Sequence, residues 1–186
     1  MVRKSKASGN RTVFKSYIFK VVEKEVKVDG AVETFHIVNT IPATRVVAVE
    51  GENLVLIRQR RLKVGARREF IEVPGGAMDR KHKETAIQNA KRELAEETGV
   101  TAKHLLRLAP VGYTKDPGLG PGVFHFFLAK GLKGIAGQNL DKGESIKVVR
   151  LNLKTAVKMV KTGKIDDLAT AFAILYYNQF KSGKPK

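Results

Sequence analysis

Apolar and polar positions along the chain follow two different periods. From Ser16 to Val28 they read as a strand, and Asp29-Gly30 is a type I′ hairpin signal. The returning strand is Ala31 to Thr40, with Phe35 and Ile37 on one face. Val46–Val49 and Leu54–Ile57 flank Gly51-Glu52-Asn53 and predict a second hairpin, and Glu69 to Val73 is a short strand ending at Pro74-Gly75-Gly76. The period then becomes helical. From about Glu84 to Thr98, Ala86, Ile87, Ala90, Leu94 and Ala95 form an apolar stripe, and Gly99 supplies the stop. Strand-like segments follow at Leu105–Tyr113, Val123–Ala129 and Ile146–Leu151, with a Gly/Pro-rich loop from Asp116 to Gly122 between the first two. Two helices close the chain, Lys154–Lys161 and Asp166–Phe180, the second favoured at its start by Asp166 and Asp167. The pattern predicts a mixed α/β fold.

Composition narrows the class. A chain of 186 residues is the size of one domain, and 42% apolar content excludes global disorder. No segment approaches the roughly 18 apolar residues of a membrane span. Residues 1–7 are basic and lack the apolar core of a signal peptide, so a cytoplasmic location is expected. The absence of cysteine removes disulfides, thiolate metal sites and a cysteine nucleophile. A net charge of +17 and a pI near 10.2 suit phosphates, nucleotides or weak, non-specific contact with nucleic acid. Residues 1–12 are expected to form a flexible basic arm, residues 13–40 a β-hairpin subdomain, residues 41–180 the main domain, and residues 181–186 a basic tail.

Against this basic background the acids cluster. Glu93 and Glu97 stand one helical turn apart on one face, with Glu96 about 60° away. Like charges at this spacing cost roughly 0.2–0.5 kcal/mol per pair, and near a helix C-terminus they also oppose the macrodipole. A hard cation relieves that repulsion, and carboxylate oxygens are what Mg²⁺ or Mn²⁺ prefers. The alternative is a solvated acidic face in which Arg92–Glu96 is an ordinary i,i+4 ion pair. His36, His82, His104 and His125 lack ligand spacing, and no P-loop motif is present.

The run Gly76 … Glu84 … Arg92-Glu93-Leu94-Ala95-Glu96-Glu97-Thr98-Gly99-Val100 resembles the Nudix box, G-x5-E-x7-R-E-U-x-E-E-x-G-U with U a bulky aliphatic residue. One departure stands out: seven residues rather than five separate Gly76 from Glu84, an insertion within Asp79-Arg80-Lys81-His82-Lys83. Leu56–Arg61, Glu72–Gly76, Asp116-Pro117-Gly118 with Phe126–Ala129, and Glu144–Arg150 with Gly163–Asp167 are similar to segments of the family's ADP-ribose pyrophosphatase branch. The resemblance implies an α/β/α sandwich with a mixed sheet, preceded by an antiparallel hairpin subdomain that dimerises. It implies a divalent-metal pyrophosphohydrolase, most simply one that splits ADP-ribose into AMP and ribose 5-phosphate. Glu93, Glu97, Glu96 and the Gly75 carbonyl would hold Mg²⁺ or Mn²⁺, and Arg92 would orient the glutamates. Arg61, Glu72, Pro117 and Gly118 would meet substrate, although Arg61 also reads as a plain surface residue and Glu72 as part of a structural pairing. Glu144 would be the general base, with Asp141 the fallback. The alternatives are another nucleotide sugar, a dinucleotide, an RNA 5′ end, or a nucleic-acid-binding protein on the same scaffold.

Overall fold

The computed structural model describes residues 8–61, 68–78, 83–134, 137–140 and 144–182. Its contacts divide the chain into two compact units. The first comprises residues up to Pro42 together with Tyr113–Phe124; the second comprises Ala43–Gly112 and His125 onward.

In the first unit, β1 (Ser8–Lys15), β2 (Phe19–Val28) and β3 (Ala31–Thr40) form an antiparallel sheet in the order β1-β2-β3. The hairpin read from the sequence is therefore three-stranded. Residues 8–12, expected as part of a flexible arm, pair instead with β2: Arg11 lies opposite Glu23 and binds its carboxylate at 3.0 Å. Arg11 has a partner in the Glu23 carboxylate of the neighbouring strand, which a reading of residues 1–12 alone does not reveal. Residues 1–7 lie outside the described residues. In the same unit, β8 (Tyr113–Asp116) pairs with the start of β9 (Gly120–Gly134), so the expected Gly/Pro loop is a tight turn centred on Pro117 and Gly118.

The second unit is built on a sheet ordered β10-β5-β4-β9-β7, with β6 on β5. Here β4 is Ala43–Glu50, β5 Asn53–Arg60, β6 Glu69–Glu72, β7 Val100–Arg107 and β10 Ile146–Asn152. The expected strand Leu105–Tyr113 is replaced by β7 and β8, because the chain turns at Leu108–Gly112. Successive side chains of a strand face opposite ways, and Val46, Val47 and Ala48 of β4 are all buried, so both faces of β4 are covered. Helix α1 (Ala86–Thr98) covers one face, where Ala90 and Leu94 pack with Val46, Ala48, Val55, Leu105 and Phe127. Of the apolar stripe read from the sequence, Ala86, Ala90 and Leu94 make this contact, whereas Ile87 is exposed. Helix α3 (Leu168–Ser182) also packs on β4, and α2 (Leu153–Lys161) packs on α3 and β10. This is the expected α+β architecture with helices against a central sheet. The expected basic tail begins inside α3, where Lys181 binds Glu52 at 2.7 Å. Among the described residues, no helix is long and apolar enough to cross a membrane.

Candidate active site

The site of the second unit starts from a backbone docking. The Pro74–Gly76 turn lies along the start of β4, with Thr44 N–H donating to the Gly76 carbonyl at 2.9 Å and Val46 N–H to the Pro74 carbonyl at 2.8 Å. Gly75 sits at φ 144°, and a side chain there would run into the Thr44 carbonyl, so only glycine fits. From this turn the Gly75 N–H donates to Glu97 Oε2 at 2.7 Å. The other side of the turn is pinned by α3: Val73 N–H donates to the Thr170 hydroxyl at 3.1 Å, and the Thr170 N–H donates to Asp167 Oδ2 at 2.8 Å.

Helix α1 begins at Ala86, two residues later than the apolar pattern suggests, because Thr85 caps it in a reciprocal capping box with Gln88. Glu84 therefore lies just outside the helix, where Arg92 reaches it. The guanidinium of Arg92 joins three carboxylates: Nε to Glu84 Oε1 at 2.8 Å, Nη2 to Glu93 Oε1 at 2.9 Å and Nη1 to Glu96 Oε2 at 2.7 Å. Burial works against its charge, but Glu84, Glu93 and Glu96 together hold Arg92 more firmly protonated than usual. Glu97 lies deeper, only 5% exposed. Burial pushes its carboxyl up to about 8, partly offset by the Gly75 N–H and reinforced by the charges of Glu93 and Glu144. Glu93 is raised in the same way, by burial first, with Arg92 opposing and Glu96 and Glu144 adding. Glu144 is exposed, just ahead of β10, and its charge acts on both glutamates. Asp141 and the insertion residues 79–82 lie outside the described residues.

Three residues not singled out in the sequence complete the arrangement. Asn89 is fully buried in the first turn of α1. It accepts the Thr44 hydroxyl at 2.6 Å and donates to the Ala77 carbonyl at 3.1 Å and to Glu84 at 3.3 Å, tying strand, turn and helix together. Asn89, Glu93 and Glu97 recur every four residues, so helical spacing already places Asn89 on the acidic face. Arg45 bonds the Thr44 carbonyl at 2.9 Å, and burial lowers its pKa, while Asp167, Glu72 and Glu97 support its charge. A lone arginine within an apolar run was the available signal. Gln138 binds the end of α1, as described below.

The expected substrate residues fall in two places. Glu72 is buried and gripped by Arg61, with contacts of 2.9 and 2.5 Å, and Arg61 is held protonated by that pair. Pro117 and Gly118 belong to the first unit, where Asp116 Oδ1 accepts the Gly118 N–H at 2.9 Å. They line a groove there of about 720 Å³ with Lys24, Phe35 and Ile37. Of the histidines, His36 is exposed beside Glu23, His104 is exposed and His125 is part-buried; His82 lies outside the described residues.

Among the described residues, no three acidic or histidine side chains converge closely enough to hold a metal ion as they stand. Glu93 and Glu96 are turned onto Arg92 instead. The donor chemistry nevertheless fits a hard cation. It is all oxygen, it includes buried carboxylates destabilised by one another, and the Gly75 turn is fixed against Glu97.

Residues 39–167 match the NUDIX domain family. The chain belongs to the Nudix family. Over 179 residues, 92% of this Nudix chain and 94% of the relative, it is 31% identical to an ADP-ribose pyrophosphatase of Bacillus subtilis (strain 168). It is also 31% identical to a GDP-mannose pyrophosphatase of Citrobacter koseri over 134 residues, covering 68% of this chain and 67% of that one. A solved structure described as an ADP compounds hydrolase superposes with a TM-score of 0.81 at 19% identity, covering 97% of this chain and 95% of its own, and so shares the fold.

Proposed function

We propose that this Nudix hydrolase splits ADP-ribose into AMP and ribose 5-phosphate with Mg²⁺ or Mn²⁺. The observation that carries the reading is that carboxylates from two segments, Glu93 and Glu97 of α1 and Glu144 ahead of β10, lie close enough to feel one another's charge beside the fixed Gly75 turn. Glu93, Glu97, Glu96 and the Gly75 carbonyl would hold the cation. When bound, it neutralises pyrophosphate charge and favours attack by water. Arg92 orients the glutamates and limits which carboxylates can swing. Glu144, exposed and outside the Arg92 cluster, takes the proton from the attacking water. Arg61, part-exposed while it grips Glu72, would meet a substrate phosphate. The Bacillus relative's name and its coverage of nearly the whole chain support ADP-ribose as the substrate. The Citrobacter relative favours a second reading, a GDP-sugar.

We propose further that the enzyme is a cytoplasmic homodimer. The first unit exposes Phe14, Tyr17, Val32, Phe35 and Leu119, apolar side chains that a partner subunit would cover. A panel of ADP-ribose, GDP-mannose, diadenosine polyphosphates and 5′-triphosphate RNA, each with Mg²⁺, tests the proposal. ADP-ribose should have the highest kcat/KM. Preference for GDP-mannose establishes the second reading, and no turnover of any of them refutes both.

A further inference from the structure

The last carbonyls of an α-helix have no partner within the helix. In α1 these belong to the turn carrying Glu96 and Glu97, and a separate segment, residues 137–140, satisfies two of them. The Asn139 N–H donates to the Glu96 carbonyl at 3.0 Å, and the Gln138 side-chain amide donates to the Glu97 carbonyl at 2.5 Å. The approach is close because Gly99, which caps α1 at φ 67°, faces Gly137: a Cβ on Gly99 would lie 3.0 Å from the Gly137 carbonyl carbon. The same Gln138 nitrogen also reaches the Ile146 carbonyl at 3.4 Å. Ile146 opens β10 and follows Glu144 by two residues.

One amide therefore spans from the carboxylate helix to the backbone that carries Glu144. We infer that Gln138 is a positioning residue that fixes where Glu144 stands relative to the carboxylates of α1. The inference rests on the reading of Glu144 as general base. Gln138 is itself exposed, with no part in the core; its bond to the Glu97 carbonyl supports the end of α1, and its reach to the Ile146 carbonyl adds a tie toward Glu144 that capping does not require. Its two acceptors are backbone carbonyls, so it has no bond to a side chain that would hold metal.

The test is a double-mutant cycle with Gln138→Met, which keeps the length of the side chain and removes its N–H donors, and with Glu144→Gln. Gln138→Ala serves as a second variant that introduces no new bulk. Initial rates on ADP-ribose with Mg²⁺ give kcat and KM, Mn²⁺ titration gives metal affinity, and thermal melting reports folding. Misplacing a reacting group by about 1 Å costs up to about 10²-fold, so Gln138→Met should lower kcat by about ten- to a hundredfold. KM and Mn²⁺ affinity should stay close to wild type, and Tm should fall by no more than the few degrees that loss of one helix-end bond costs. In the Glu144→Gln background the same substitution should change kcat by less than about twofold, because a clip acts only through the group it holds. If Glu144→Gln is strongly impaired but Gln138→Met leaves kcat unchanged, or lowers it equally in both backgrounds, the positioning role is overturned and the base assignment stands. If Glu144→Gln itself turns over near the wild-type rate, the base assignment fails and the inference falls with it.

Discussion

Replacing Asn89 with alanine tests whether the turn, strand and helix of the site are held as one piece. The Thr44 hydroxyl is fully buried and would lose its acceptor, which costs about 1–3 kcal/mol for a stranded buried group. The Ala77 carbonyl would lose a part-buried bond of ordinary strength, about 0.5–1.5 kcal/mol. Glu84 keeps Arg92 and adds little. Alanine returns about half a kcal/mol through its better helix propensity. The net loss is about 1–4 kcal/mol, and at roughly 2–4 °C per kcal/mol for a chain of this size Tm should fall by about 2–16 °C. Urea and thermal unfolding of purified protein measure it. Asn89→Asp is the sharper control. It keeps an acceptor for Thr44 but buries a carboxylate beside Glu84 in place of a donor, so at neutral pH it should be less stable than Asn89→Ala and should recover as pH falls. A loss below about 0.5 kcal/mol for Asn89→Ala, or an aspartate variant as stable as wild type at neutral pH, would refute the reasoning.

Four other outcomes are expected. The Glu97 carboxyl is raised from 4.5 to about 8, so in metal-free protein the folded state holds a proton that the unfolded chain has released across that window. Stability of the metal-free protein should therefore fall as pH rises from about 4.5 to about 8, Mg²⁺ should stabilise more as pH rises, and Glu97→Gln should flatten both trends in melts at several pH values. Glu144→Gln should lower kcat by about 10²–10⁴-fold with Mn²⁺ affinity preserved, while Asp141→Asn should be mild, as steady-state kinetics and metal titration will show. Light scattering should give a dimer at tens of micromolar, roughly the concentration of a routine sample, and Phe35→Lys should shift it toward monomer; a wild-type monomer would mean the apolar face packs within its own chain. Removing residues 1–7 should leave hydrolysis of ADP-ribose nearly unchanged while weakening salt-sensitive binding to polyanions; loss of activity in the folded protein would make that segment part of the site.

What could be read in advance follows from which interactions are local. The Ala86, Ala90 and Leu94 positions of the α1 stripe, the Gly99 cap and the same-face spacing of Glu93 and Glu97 are set within a few turns of one helix, and they stand where the pattern put them; Ile87, read as part of the stripe, faces solvent. The start of α1 shifted because Thr85 and Gln88 cap each other, a signal present in the sequence but outweighed by the apolar run. The strand at Ser8–Lys15 was hidden because residues 8–12 carry little apolar content and are held by pairing with β2, including Arg11 with Glu23 across the sheet. Asn89 and Gln138 were missed because each bonds groups that a one-dimensional pattern does not bring together. Arg45 bonds its own neighbour Thr44, and what the pattern hides is the set of distant charges around it, Asp167, Glu72 and Glu97. The Arg92 network was half legible. Its bond to Glu96 is a local i,i+4 pair, whereas its grip on Glu84 depends on where the chain enters the helix.

The most direct test of the account is to follow ADP-ribose by phosphorus NMR with wild-type protein and with Glu97→Gln, each with and without Mg²⁺. The account predicts AMP and ribose 5-phosphate in equal amounts, formed only with Mg²⁺, and a loss of about 10²-fold or more in the folded variant. Near-normal turnover by folded Glu97→Gln, or the same products at the same rate without a divalent cation, would contradict it.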